Sequence, residues 1–211
     1  RELEAGNRAA ALRWYAQLFQ SPNIMEALYV TISIALLASM FSTVLGTMAA
    51  IGIHAMSKRP QGLMMTMTNI PMTMPDIVTG ISLMLLFIFT KVERGYVTML
   101  LAHITFNTPY VVLSVLPKLK EINSFSYEAA LDLGATPGYA LRKVILPAIR
   151  PGVITGAILA FTLSLDDFTI SYFTTSPLVQ NLSTLIYSEA RKGIKPTMNA
   201  LSALMFVALL I

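Results

Sequence analysis

Tyr127-Glu128-Ala129-Ala130-Leu131-Asp132-Leu133-Gly134, followed after nine residues by Val144-Ile145-Leu146-Pro147, is a polar, helix-broken stretch set between long apolar runs. It reads as two short helices. Asn123 and Ser124 offer side-chain oxygens to cap the first, and Gly134 ends it, because glycine enters the left-handed conformation without steric cost. Thr136-Pro137 restarts the helix, with Thr as N-cap and Pro at the first helical position. Pro147 and Pro151 are expected to close the unit. Helices shorter than about 12–15 residues are marginal alone in water, so a partner surface is implied. Ala129 and Ala130 leave a flat face for close approach. Glu128 and Asp132, at i and i+4, form a like-charge pair that a basic partner would relieve.

The flanks set the environment. The 211 residues are 55% hydrophobic and only 12% charged, about half the charge of a soluble domain, which places the chain in the membrane class. The net charge of +4 is spread out, with no basic block for nucleic acid. With no cysteine, disulfides, thiol catalysis and cysteine metal sites are excluded, and two distant histidines argue against zinc. The first residues lack the pattern of a signal peptide.

The expected architecture is all-α and polytopic. Residues 1–23 read as an extracytoplasmic, interfacial segment, with Leu12, Tyr15, Leu18 and Phe19 near helical spacing beside Trp14. Residues 24–211 read as the membrane domain. Its spans are Ile24 to Ala55, Gln61 to Phe89 (interrupted by Pro71 and Pro75), Tyr96 to Leu116, Pro151 to Phe173, and a fifth from Pro196. Lys58-Arg59-Pro60 reads as a turn, residues 118–150 as the loop already described, and Thr174 to Lys195 as a polar connection. The fifth run offers 16 residues before the end, under the usual minimum of about 17, so the chain is expected to continue. Charge does not decide orientation. With residues 118–150 inside, seven Lys and Arg lie inside and eight outside.

Three carboxylates fall inside apolar runs: Asp76, Asp166 and Asp167. An Asp at a helix centre costs about 2.5–3.5 kcal/mol on insertion scales and by default marks an ion or substrate route. Asp167 shares a face with Ser164 and Ser171, and Asp166 with Thr162 and Ile170. Tyr172 can stack against a cation. An acidic, aromatic path suits a cationic cargo. Two other readings stay open: Asp76, after Pro75, as the cap of a restarted helix, and Asp166 and Asp167 as ion-pair partners of another subunit. His103 and Asn107, at i and i+4, fit interhelical hydrogen bonding better than proton transfer.

Glu-Ala-Ala, three residues, Gly, nine residues and Ile-x-Leu-Pro is the EAA loop of ABC importer permeases. This chain resembles that family at Glu128, Ala129, Ala130, Gly134, Leu146 and Pro147, with Val144 replacing Ile. Pro75-Asp76-Ile77-Val78, His103-Ile104-Thr105-Phe106 and Phe161-Thr162-Leu163-Ser164-Leu165-Asp166-Asp167 further resemble the spermidine/putrescine importer permeases, especially the second permease of that heterodimer. The resemblance runs from about Trp14 onward. It implies a type I ABC importer transmembrane domain in a bacterial inner membrane, with residue 1 outside, the EAA loop in the cytoplasm, and a further span preceding residue 1. It also implies a second permease, two ATPase subunits docked at the loop, and an external binding protein. No Gly-x-x-x-x-Gly-Lys-Ser/Thr loop occurs in the chain. ATP and Mg are therefore expected on the ATPase partner, with no cofactor in this chain.

Three rival readings remain. One is the same machine with ferric iron, an aminophosphonate or thiamine as cargo. Another is a secondary cation transporter using the buried Asp residues. The third is a membrane hydrolase using the paired Asp, against which no metal-ligand spacing accompanies them.

Overall fold

The computed structural model describes residues 20–122, 124–192, 200–203 and 206. The interfacial reading of the first residues, the Asn123 cap and most of the fifth apolar run lie outside them.

Helices make up nearly all of this part. α1 (Pro22–Ala55) and α4 (Tyr96–Glu121) are long and apolar enough to cross a membrane, as is the continuous stretch Pro137–Asp166. α1 and α4 match the first and third expected spans. Their mutual packing, with α7 (Leu146–Asp166), forms the core. Small residues permit it. A Cβ on Gly46 of α1 would lie 2.6 Å from Val111 Cβ of α4, and one on Gly152 of α7 would lie 2.7 Å from the Ser114 carbonyl of α4. Backbones approach this closely only where a side chain is missing, which is how helices hold together when lipid is as apolar as leucine. Val111, Val112, Val115, Leu116 and Ile149 fill the seam.

The second span is not one kinked helix. α2 (Lys58–Thr73) and α3 (Asp76–Phe89) meet at 103°. Lys58-Arg59-Pro60 is the first turn of α2 rather than a loop, and α2 runs straight through Pro71. Only Pro75 breaks it. The residue before a proline is pushed out of the α region, and Met74 is accordingly extended (φ −81°, ψ 144°). Asp76 thus begins α3 instead of lying mid-span. The pair counts as a fourth crossing only if its two arms are taken together.

The fourth span also differs at both ends. Pro147 and Pro151 do not close the preceding loop: the helix continues through both. A π-helical turn, Leu141–Ile145, joins α6 (Pro137–Ala140) to α7, with the Leu146 N–H reaching the Leu141 carbonyl. The extra residue in this turn re-registers the chain just ahead of Pro147, which has no N–H to offer. At its far end α7 stops at Asp166, not Phe173. Asp167 is extended, and a separate short helix, α8 (Thr169–Thr174), follows. The expected polar connection holds another helix, α9 (Leu182–Lys192), fixed to α1 by the Leu182 N–H donating to Thr31 Oγ1 at 2.8 Å.

Candidate functional site

The two carboxylates at the α7–α8 break do different things. Asp167 is turned inward, its side chain 6% exposed. Its Oδ1 accepts the Ile170 N–H at 3.1 Å and its Oδ2 the Ser171 N–H at 2.7 Å. It caps α8, satisfying donors that have no partner at a helix start. A buried polar network backs it. Asn181 Nδ2 donates to Ser171 Oγ (2.8 Å) and to the Asp167 carbonyl (3.2 Å). His103 Nε2 lies 3.0 Å from Ser171 Oγ and 3.5 Å from Asp167 Oδ2. One turn along α4, Asn107 Nδ2 donates to Ser164 Oγ (2.7 Å) and the Ala160 carbonyl (3.2 Å). The expected strip of Ser164, Asp167 and Ser171 is therefore present as a seam between helices. His103 and Asn107 bind it from the facing helix, as interhelical bonding requires.

Asp166 points the other way and is exposed. It lines a recess of about 290 Å³ whose wall includes Asp76, Phe106, Thr162 and Phe168, with Asp167 at its border. Asp76 is also exposed there and receives no side-chain hydrogen bond among the described residues. Two helix breaks, ninety residues apart in sequence, thus bring two uncommitted carboxylates to one opening. Gly80 positions the first. A Cβ there would lie 2.9 Å from Phe173 Cδ2, so α3 seats directly on α8. Tyr172 is not in this recess. It lines a second one, of about 600 Å³, with Arg94, Tyr187, Arg191 and Lys192.

The loop stretch folds largely as its residues dictate. α5 (Ser124–Asp132) ends in a Schellman turn. The Ala135 N–H donates to the Ala130 carbonyl (3.0 Å), the Gly134 N–H donates to the Leu131 carbonyl (2.9 Å), and Gly134 has φ +88°. Thr136 caps α6, accepting the Tyr139 N–H at 3.4 Å. Glu128, Ala129, Asp132, Gly134, Leu146 and Pro147 are all exposed, and Ala130 is half-buried. Beside them Leu133 is 90% and Phe125 70% exposed. Apolar side chains so open on a polar loop mark a surface for a protein. A cavity of about 760 Å³ behind the loop, between Glu128 and the ends of α1 and α4, leaves α5 little support from the bundle. Sequence reasoning singled out neither Phe125 nor Leu133. Their signal was apolar bulk next to a helix end in an otherwise polar loop.

Among the described residues no group of three His, Cys, Asp or Glu is placed to hold a metal ion.

Residues 42–211 match the family described as the binding-protein-dependent transport system inner membrane component. The chain is 38% identical over 203 residues to the putrescine transport system permease protein PotI of Escherichia coli (strain K12), covering 93% of this chain and 72% of that protein. It is 36% identical over 199 residues to the spermidine/putrescine transport system permease protein PotC of the same organism, covering 94% and 75%. In structure it is similar to the MetNI methionine ABC transporter in an inward-facing form, with a TM-score of 0.75 at 18% identity over 90% of this chain and 92% of that one. A bacterial ABC transporter importing the acidic polysaccharide alginate gives 0.74 at 17% identity over 94% and 79%. The helical bundle is thus the transmembrane fold of type I ABC importers, and the chain belongs to the family of binding-protein-dependent transport system inner membrane components.

Proposed function

We propose that this permease moves polyamines inward, and that Asp76 and Asp166 meet the cargo. The observation that carries the cargo reading is the shared recess. Two exposed carboxylates from separate helix breaks sit beside Phe106 and Phe168, a donor set matched to a flexible chain bearing more than one ammonium. Apolar and aromatic walls accept the methylenes, and the carboxylates replace the water that each ammonium gives up. The relatives whose names specify putrescine and spermidine agree with it. Asp167 also borders the recess, but both its oxygens are committed to backbone N–H groups, so it shapes the recess by holding α8 against His103 rather than by offering a free carboxylate.

In this reading α5 is the coupling helix. Glu128, Ala129, Ala130, Asp132 and Gly134 present it to an ATPase subunit, with Leu146 and Pro147 carrying the loop back into the membrane. Phe125 and Leu133 add the apolar anchors. Two ATPase chains hold the ATP and Mg, a second, unlike permease completes the path, and an external binding protein delivers the cargo. Closure of the ATPases moves α5, and the π turn passes that motion into α7, which ends at Asp166. The residues 118–150 are then cytoplasmic and the recess of Arg94 and Arg191 faces outward.

The test is spermidine-stimulated ATP hydrolysis by the reconstituted complex with its binding protein, for the native chain and Glu128→Arg. Stimulation in the native complex, lost in the variant together with ATPase co-purification, is the expected result. Stimulation that survives Glu128→Arg moves the coupling contact elsewhere. An intact complex that no polyamine stimulates overturns the cargo and leaves the fold.

A further inference from the structure

The cavity behind the loop, about 760 Å³ in volume, falls in the size range of ligand sites, about 300–1,000 Å³. It lies where two spans end. Its walls come from the ends of α1 and α4, from α5 and α6, and from the π turn. Ile51, Leu119, Ile122, Leu141 and Ile145 make most of the wall apolar. Two full charges of opposite sign interrupt it, Lys120 of α4 and Glu128 of α5. Both are exposed, and neither makes an ion pair among the described residues, although nearby Lys118 pairs with Glu121 at 2.9 Å. The His54 ring and the Tyr127 side chain stand on the same wall. α5 itself packs on α6 and the π turn. The exposed Leu133 belongs to a different recess, of about 510 Å³, with Ala130, Gly134 and Tyr139. The apolar surface offered to a protein is therefore separate from the inner cavity.

We propose that this cavity is a lipid site, filled by a phosphatidylethanolamine whose headgroup spans Lys120 and Glu128 and whose acyl chain lies against the aliphatic wall. The occupant follows from the chemistry of the wall. An aliphatic surface at the ends of two spans suits an acyl chain, and a cation beside it suits a lipid phosphate. The Lys120 ammonium donates to that phosphate, with the Tyr127 hydroxyl and the His54 ring N–H as further donors. The ethanolamine ammonium donates to the Glu128 carboxylate, whose two oxygens leave lone pairs for an ATPase contact. A choline headgroup carries no N–H for this carboxylate, and a glycerol headgroup leaves it without a cation. The lipid fills the gap between α5 and the bundle, so that a push on α5 reaches α1 and α4 as well as α7. This coupling role rests on the proposed function above, which takes α5 as the coupling helix. The site itself rests only on the cavity and its two charges.

The test uses the whole complex in vesicles. A photoactivatable diazirine acyl chain is carried in turn by phosphatidylethanolamine, phosphatidylcholine and phosphatidylglycerol, and the residues labelled on this chain are mapped after digestion. The ethanolamine lipid should label Ile51, Leu119 and Leu141 about fivefold more than either other lipid, the size of one charged contact at a membrane surface. Leu36, Met40 and Val44, exposed along α1, should label equally with all three. Lys120→Gln and Glu128→Gln should each reduce the ethanolamine preference toward none. Ala55→Trp, which puts an indole on the cavity wall, should reduce labelling there by all three lipids. Equal labelling of the cavity by the three lipids, or labelling no greater there than at Leu36, Met40 and Val44 in a complex that still co-purifies, overturns the proposal. Labelling that appears only after the ATPase subunits are stripped assigns the cavity to them and also overturns it. Spermidine-stimulated ATP hydrolysis reads the coupling role separately. Replacing the ethanolamine lipid by the choline lipid should lower stimulation about fivefold in the native complex. Stimulation indifferent to the headgroup removes the coupling role. Selective labelling in a complex that no polyamine stimulates keeps the lipid site and removes the cargo.

Discussion

The triad of α1, α4 and α7 and the bent pair α2–α3 are similarly rich in apolar residues yet are held in opposite ways. The triad buries valines, small residues and polar side chains along its seams. α2 buries no residue, and α3 buries only Gly80 and Phe87. In lipid, burial of apolar area does not decide which helices associate, because the bilayer offers the same apolar surroundings. What distinguishes the triad is close backbone approach and hydrogen bonds such as Asn107 to Ser164. What marks the pair is a proline-driven corner, the close approach of Gly80 to Phe173, Phe87 packed on Ala102, Phe106 and Ile170, and the Gln61 Nε2 hydrogen bond to the Ile53 carbonyl of α1. A closely packed scaffold and a less buried, bent arm that bears Asp76 are suited to a machine whose site opens and closes.

The comparison breaks most severely at the triad. Gly46→Leu forces a side chain into the Val111 contact. Overpacking of this kind costs about 1–3 kcal/mol, and with backbone contact at 3.0 Å from the Thr108 carbonyl there is little room to give. The expected outcome is loss of the purified complex, read by yield and thermal unfolding in detergent. Gly80→Leu separates scaffold from arm. The Phe173 ring can swing aside, so the complex should persist, but α3 should shift and spermidine uptake should fall well before thermal stability does. Equal losses in both would mean that the arm is part of the scaffold.

The α7–α8 break sharpens the contrast at the level of neighbours. Asp167→Ala removes a cap and should lower stability by about 1 kcal/mol, visible as a lower unfolding temperature. Asp166→Ala should leave that temperature unchanged, since surface substitutions usually stay within about 0.5 kcal/mol, while raising the KM for polyamine uptake. Reversed results would exchange the two roles. The smallest effect on the bundle is expected at the loop. Gly134→Ala places a Cβ on a residue with φ +88°, a strain of about 1–2 kcal/mol confined to a turn outside the bundle. ATPase coupling should weaken with no change in unfolding temperature.

The loop was legible because its signals are local. A glycine at a helix end, a threonine before a proline and an apolar run long enough to cross each act through the chain's own backbone. α1, α4, the Schellman turn at Gly134 and the Thr136 cap follow from them. The prolines were less informative, since Pro71, Pro147 and Pro151 all sit within helices while Pro75 alone makes a corner. A proline's cost depends on whether neighbouring helices and a π turn can satisfy the freed carbonyl, which no local pattern states. The two adjacent aspartates were indistinguishable in sequence for the same kind of reason. A 100° step around the helix, and the way α8 folds back, decide which carboxylate is taken up by backbone N–H groups and which is left free at the recess.

By itself, then, the sequence determined that this chain crosses a membrane as helices, carries the EAA loop, has no cysteine chemistry and places acidic residues among apolar ones. Those are properties of composition, local propensity and short spacing. Only the tertiary structure decided that Asp76 and Asp166 share an opening, that Asp167 is a cap backed by His103 and Asn181, and that Phe168, Tyr172 and Tyr187 meet as a ring cluster. These depend on where separate helices break and how closely they pack, and such distances are set by the whole bundle.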